Sequence, residues 1–228
     1  MPSGWLTVIA WAALATAAWC AARVVWDIFG RGYRQQMWVM EVVWPVTALY
    51  LGPVGWWGYR RWGRRNSPSY RRATGVASDY DEAVSVCIGV SHCGAGCTLG
   101  DIVGAWVVFA TGWGLFGLAL PAEYIIDFAL AFGLGIGFQY FAIAPARGLG
   151  PREGVRAALK ADTLSLISFE VGLFGWMAVM QLVLFPGPHL HPDHAAYWML
   201  MQVGMIIGFA TAVPANVWLI RRGIKEAM

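Results

Sequence analysis

AVSVCIGVSHCGAGCTLGDIVGAWVVFA, from Ala83 to Ala110, contains a single acidic residue, Asp101, and no lysine or arginine. A helix crossing a bilayer core needs about 20 mainly apolar residues. This stretch exceeds that length, so it reads as a spanning helix. Five more stretches of the same character surround it. The expected spans are Trp5 to Val25, Trp38 to Trp57, Ala83 to Ala110, Tyr124 to Ala144, Ala161 to Phe185 and Ala195 to Ile220. The glycine-rich stretch Thr111 to Pro121 reads either as an interfacial loop or as a continuation of the third span.

Composition agrees. Of 228 residues, 58% are hydrophobic and 13% charged, whereas a soluble domain carries about 25% charged residues. The 14 tryptophans and 28 glycines suit interface anchoring and close helix contact in lipid. The fold expected is an all-α polytopic membrane bundle of about six helices in a single domain over residues 1–228. Residues 58–82 form a basic connection. The first span lacks a basic leader and reads as a permanent span.

Thirteen of the 16 basic residues fall between spans two and three, between four and five, or after six. Arg23, Arg31 and Arg34 are the other three. With six spans, the positive-inside rule places both termini in the cytoplasm, in a multi-pass protein of a bacterial inner membrane. The arginine run Arg60 to Arg72 reads as an orientation anchor beside anionic lipid, not as a nucleic-acid surface. The expected partners are the bilayer, a metal ion and a second copy of the chain.

The runs MWVMEVVWPVTALYLGP (Met37 to Pro53), SHCGAGCTLGDIVG (Ser91 to Gly104), FQYFAIAPARGL (Phe138 to Leu149), LKADTLSLISFEVGLFGWM (Leu159 to Met177), MQVGMIIGFAT (Met201 to Thr211) and the terminal NVWLIRRGIKEAM carry a resemblance. The chain resembles a bacterial family of uncharacterised integral membrane proteins, domain of unknown function 4396, from about Met37 onward. The resemblance implies one polytopic domain and supplies no activity.

Polar groups within spans are costly and tend to mark function. Cys93 and Cys97 lie one turn apart, and Gly89, Gly100 and Gly104 share their stripe, with Asp101 at its edge. Glu170 sits near mid-depth on a face with Thr163, Met177 and Gln181. Met201 and Met205 are one turn apart in the last span. Thiolate and thioether donors select Cu(I), with imidazole as a borderline partner. The expected intramembrane site therefore comprises Cys93, Cys97, His92, Met201, Met205 and Glu170, with copper as its ion. His92 points about 100° away from Cys93. Two other readings of the cysteines stay open. One is a small-residue packing face. The other is a membrane thiol-disulfide oxidoreductase, which would need the glycines to break the helix. A structural or accessory protein without ligand also stays open.

HLHPDH, His189 to His194, reads as an outer capture station built from His189, His191, His194 and Asp193, stiffened by Pro186, Pro188 and Pro192. Glu41, Asp101, Glu123 and Asp127 are expected to ring an outer vestibule. No P-loop, hydrolase signature, zinc-protease motif or haem-attachment motif occurs.

Overall fold

The computed structural model describes residues 3–75, 80–115, 117–187 and 189–225. Nine α-helices are present among the described residues. They are α1 (Gly4–Val25), α2 (Met40–Leu51), α3 (Pro53–Gly58), α4 (Arg64–Asn66), α5 (Pro68–Thr74), α6 (Glu82–Thr111), α7 (Ala119–Arg147), α8 (Pro151–Val179) and α9 (Ala195–Arg221). Wider π turns extend α1 through Gly30, α3 through Gly63 and α8 through Leu184. Five of these segments are long and apolar enough to cross a membrane, and α2 is a shorter apolar helix. The protein is a multi-pass helical bundle that contacts lipid through a surface rich in exposed tryptophan, valine and leucine.

α6 is its axis. It is the most buried of the long helices and packs most extensively on α7. Gly96, Gly100 and Gly104 make that contact possible. A methyl group on Gly96 would meet the Gly135 Cα at 2.7 Å, one on Gly100 would strike the Ala131 backbone, and one on Gly104 would strike the Asp127 carboxylate. Without a hydrophobic force between helices in lipid, such backbone approach is what holds the pair together. α8 and α9 use the same device, with Gly172 against the Gly208 backbone.

The second expected span differs from the rest. α2 has 12 residues, about 18 Å at 1.5 Å per residue, too short for a core of about 30 Å. Gly52 then takes φ +55° and ψ −128°, open to glycine and hostile to side chains, and Pro53 starts α3 in the opposite direction. The two arms lie antiparallel. The Trp44 and Tyr59 rings stand 5.8 Å apart, and a methyl on Gly55 would meet the Ala48 Cα at 2.9 Å. Residues 40–63 therefore enter the bundle and return to the side they left, as a re-entrant hairpin. Its tip is held by Gln202 of α9, whose amide donates to the Leu49 carbonyl at 2.6 Å.

Contacts across the hairpin's base confirm the turn. Arg64 Nη2 donates to the Tyr33 hydroxyl at 2.8 Å, Ser69 Oγ donates to the Gly32 carbonyl at 3.0 Å, and Arg64 stands 3.5 Å from Asp27. The connections 31–39 and 64–75 thus share one face. Tyr80 belongs to the same face. Burial pushes its hydroxyl up to about 12, and it donates to the Trp62 carbonyl at 3.2 Å. The five long apolar helices and the shorter α2 agree with the expected membrane bundle, and five long helices with a returning hairpin put Ser3 and Lys225 in opposite halves of it. All 16 lysines and arginines now fall in the half of the bundle at this face, including Arg23, Arg31 and Arg34. The glycine-rich connection after α6 is a loop, since α6 ends at Thr111 and α7 begins at Ala119. Phe116 in that loop, residues 76–79 of the basic connection and Pro188 of the histidine loop lie outside the described residues.

Candidate functional site

Steps of four along α6 place Gly89, Cys93, Cys97 and Asp101 on one stripe, about 100° round the helix from the glycine seam. The seam with α7 is Gly96, Gly100 and Gly104, so the cysteines are not its packing residues. They lie beside groups that can donate or accept. Cys97 interacts with Cys93, Glu170 of α8 and Asp101. The Tyr50 hydroxyl of the hairpin stands over Gly94, 3.0 Å from where a Cβ would be, and interacts with both thiols. Cys93, Cys97, Asp101 and Glu170 are 0 to 2% exposed.

From this centre a line of acids leads away from the basic face. Asp101 interacts with Glu170 and with Asp127 of α7, and Asp127 with Glu123. Tyr197, at the start of α9, interacts with Glu123, Asp127 and Asp101. None of the carboxylate oxygens of Asp101, Asp127 and Glu170 has a hydrogen bond of good geometry, nor do Glu123 Oε2 or the hydroxyls of Tyr50 and Tyr197. No lysine or arginine stands in this half. Like charges in lipid are costly. An anionic cluster without a basic partner is balanced by bound protons or by a bound cation.

The other expected site residues are dispersed. Met201 and Met205 are buried in the apolar core that includes Cys93 and Cys97, and Met205 also lines a groove of about 310 Å³ with Thr98, Trp106 and Gln202. His92 points elsewhere. Its ring packs on Phe138, and both ring nitrogens are buried without a partner. Glu41 belongs to the basic face rather than the outer vestibule, because the hairpin returns there. Arg34 grips it with bonds of 2.6 and 2.7 Å. The outer histidines diverge. His189 Nδ1 is 3.2 Å from the Gln181 carbonyl oxygen, the His191 ring lies on Phe109, and His194 stands 3.9 Å from Asp193. Gln181, expected on the face of Glu170, instead ties this loop to α8 through two bonds with the Leu190 backbone. Thr163 bonds to its own helix. Among the described residues no group of three or more His, Cys, Asp or Glu side chains is arranged to hold a metal.

Sequence reading missed Tyr50, Tyr197, Asp162, Asn216 and Lys225. Asp162 and Asn216 carried a usable signal, as polar residues inside apolar runs. The tyrosines carried none, because tyrosine is common near membrane interfaces. All four cysteines are free thiols, and α6 runs unbroken past Cys93 and Cys97.

An unbroken axial helix carrying thiols, ringed by carboxylates from two neighbours, defines a polytopic membrane protein with a buried polar centre. The family described as domain of unknown function (DUF4396) matches residues 84–225, and the chain belongs to it. That match covers α6 to α9 and leaves the α1 to α5 segment outside it. No curated protein and no solved structure matches the chain.

Proposed function

We propose that this protein binds a soft metal ion, Cu(I), inside the membrane at Cys93 and Cys97, and passes it or its counter-protons along Glu170, Asp101, Asp127 and Glu123. The observation that carries this is the pair of buried thiols with Glu170 and Asp101 beside it, Asp127 and Glu123 continuing from them, and no lysine or arginine in this half. Two thiolates suffice for a low-coordinate Cu(I) ion, whereas zinc takes four ligands.

Binding one Cu(I) between two thiols releases two protons, since the ligands are thiolates. Glu170 and Asp101 receive them, and Asp127 and Glu123 carry them on toward the face without basic residues; the support for this route is that Asp101 adjoins Glu170 and Asp127 and Asp127 adjoins Glu123. Met201 and Met205 supply apolar, polarisable walls and a thioether donor within the same core. By the positive-inside rule the basic face is cytoplasmic, which puts the acid line on the outer side and the start of α1 outside, in a bacterial cytoplasmic membrane.

The test is elemental analysis of protein purified without a histidine-rich tag. Roughly one copper per chain is expected after Cu(I) loading under reductant. Substituting Cys93→Ser and Cys97→Ser together should abolish it. Copper retained at the same ratio by the folded double variant would remove the site.

A further inference from the structure

The inner end of the polar stripe holds a second cluster. Past Arg221 the chain turns at Gly223 (φ +64°), and the backbone N–H groups of Ile224 and Lys225 donate back to the Leu219 carbonyl. The turn sends Lys225 into the bundle instead of into water, although a lysine just past a helix end ordinarily snorkels outward. Its ammonium donates to Asp162 Oδ1 at 2.7 Å and to the Gly89 carbonyl at 3.4 Å. The side chains of Lys225 and Asp162 are 1% and 0% exposed. Around them stand Asn216, whose amide donates to Ser165 Oγ at 2.6 Å, and His92. Asp162 Oδ2, Asn216 Oδ1 and both His92 nitrogens are buried without a partner.

Both atoms that accept from the ammonium are oxygens, one carboxylate and one helix carbonyl; the Asn216 amide oxygen lies beside Gly89 as the ammonium does, and Ser165 Oγ accepts from the Asn216 amide. Oxygen ligands with one negative charge suit a hard cation of charge one. A cavity of about 310 Å³ lined by Gln139, Lys160, Ala161, Gly223 and Ile224 adjoins the tail on the basic face. Ala161 precedes Asp162, and Ile224 precedes Lys225.

We propose that Asp162, with the Gly89 carbonyl, Ser165 and Asn216, forms an inner binding site for an alkali cation, and that Lys225 occupies it as a tethered cation. The ammonium fills the place of the ion, so the site is closed while the tail is docked and opens to the basic face when the tail leaves. The proposal does not use the thiols and stands apart from the copper reading.

Thermal unfolding of the purified full chain in sodium, potassium or choline chloride at equal ionic strength tests it. The native protein should melt at the same temperature in all three. Lys225→Ala and Lys225→Met vacate the site, and Met keeps the packing of the lysine stem if Ala fails to fold. Either variant should melt about 5 °C higher in saturating alkali chloride than in choline chloride, as expected for a ligand bound only by the folded state. Adding Asp162→Asn should abolish that difference. If the folded Lys225 variants melt equally in choline and alkali salts, the pair is only a latch for the tail and the proposal fails. Copper content after loading should be unchanged in Lys225→Met, so loss of the copper site and loss of the alkali site register separately.

Discussion

The two halves of this bundle treat buried acids in opposite ways. On the basic face each buried acid has a cationic partner: Asp27 has Arg31 and Arg64, Glu41 has Arg34, and Asp162 has Lys225. In the other half, Asp101, Asp127, Glu123 and Glu170 are buried to a similar degree and have none. An acid with a cationic partner is one that structure accounts for. A cluster without one is balanced by bound protons or by a bound cation. The difference separates acids neutralised by this chain's own cations from acids that take their counter-charge from outside it.

The comparison can be broken most sharply at Asp162. Replacing it alone by alanine takes away the only carboxylate on the Lys225 ammonium, which then stays uncompensated in the interior or pulls the tail out of the bundle. Loss of one partner of a buried pair costs about 3–5 kcal/mol, so the variant should unfold at markedly lower temperature or fail to accumulate. Glu170→Gln is the matched change in the other half. It removes a charge that has no partner, so the melting temperature should stay constant or rise while copper binding weakens. If both variants lose stability alike, the contrast between the halves disappears.

The seam gives the next effect. Gly100→Ala presses a methyl into the Ala131 backbone, which cannot swing aside, and should cost about 3 kcal/mol. Gly133→Ala in α7 meets nothing within 4 Å and should leave stability unchanged or raise it by about 0.5–1 kcal/mol. Equal losses at the two glycines would mean that helix propensity, not backbone approach, governs α6 and α7.

The smallest effect in energy concerns sidedness. Cysteines introduced at Ser3 and Arg71, both exposed, should react with an impermeant thiol reagent from opposite sides of the membrane, above the background of Cys87. Reaction from the same side would restore a sixth crossing and return Arg23, Arg31 and Arg34 to the outer face. Glu41→Gln should release the Arg34 grip and loosen the connection 31–39, seen as faster proteolysis there, with no loss of copper.

The sequence by itself determined the class of fold and the five long spans, because hydrophobic length is a local property that lipid enforces along each helix; it put Gly100 and Gly104 on the cysteine stripe, whereas the seam runs beside it through Gly96, Gly100 and Gly104. It also placed Cys93, Cys97 and Asp101 on one face, since helical periodicity fixes that before any packing occurs. It did not show that residues 38–57 turn back. Leu51, Gly52 and Pro53 held the signal, but an apolar run of that length meets the hydropathy condition for a span whether or not it reverses. Only the tertiary structure decided which helices face one another. It brought Glu170 and Tyr50 to the thiols and Asp127 to Asp101, sent His92 and Glu41 to the other end, and folded Lys225 back onto Asp162. Those pairings join residues far apart in the chain, and their physical cause is close backbone packing together with the need to neutralise or share charge inside lipid.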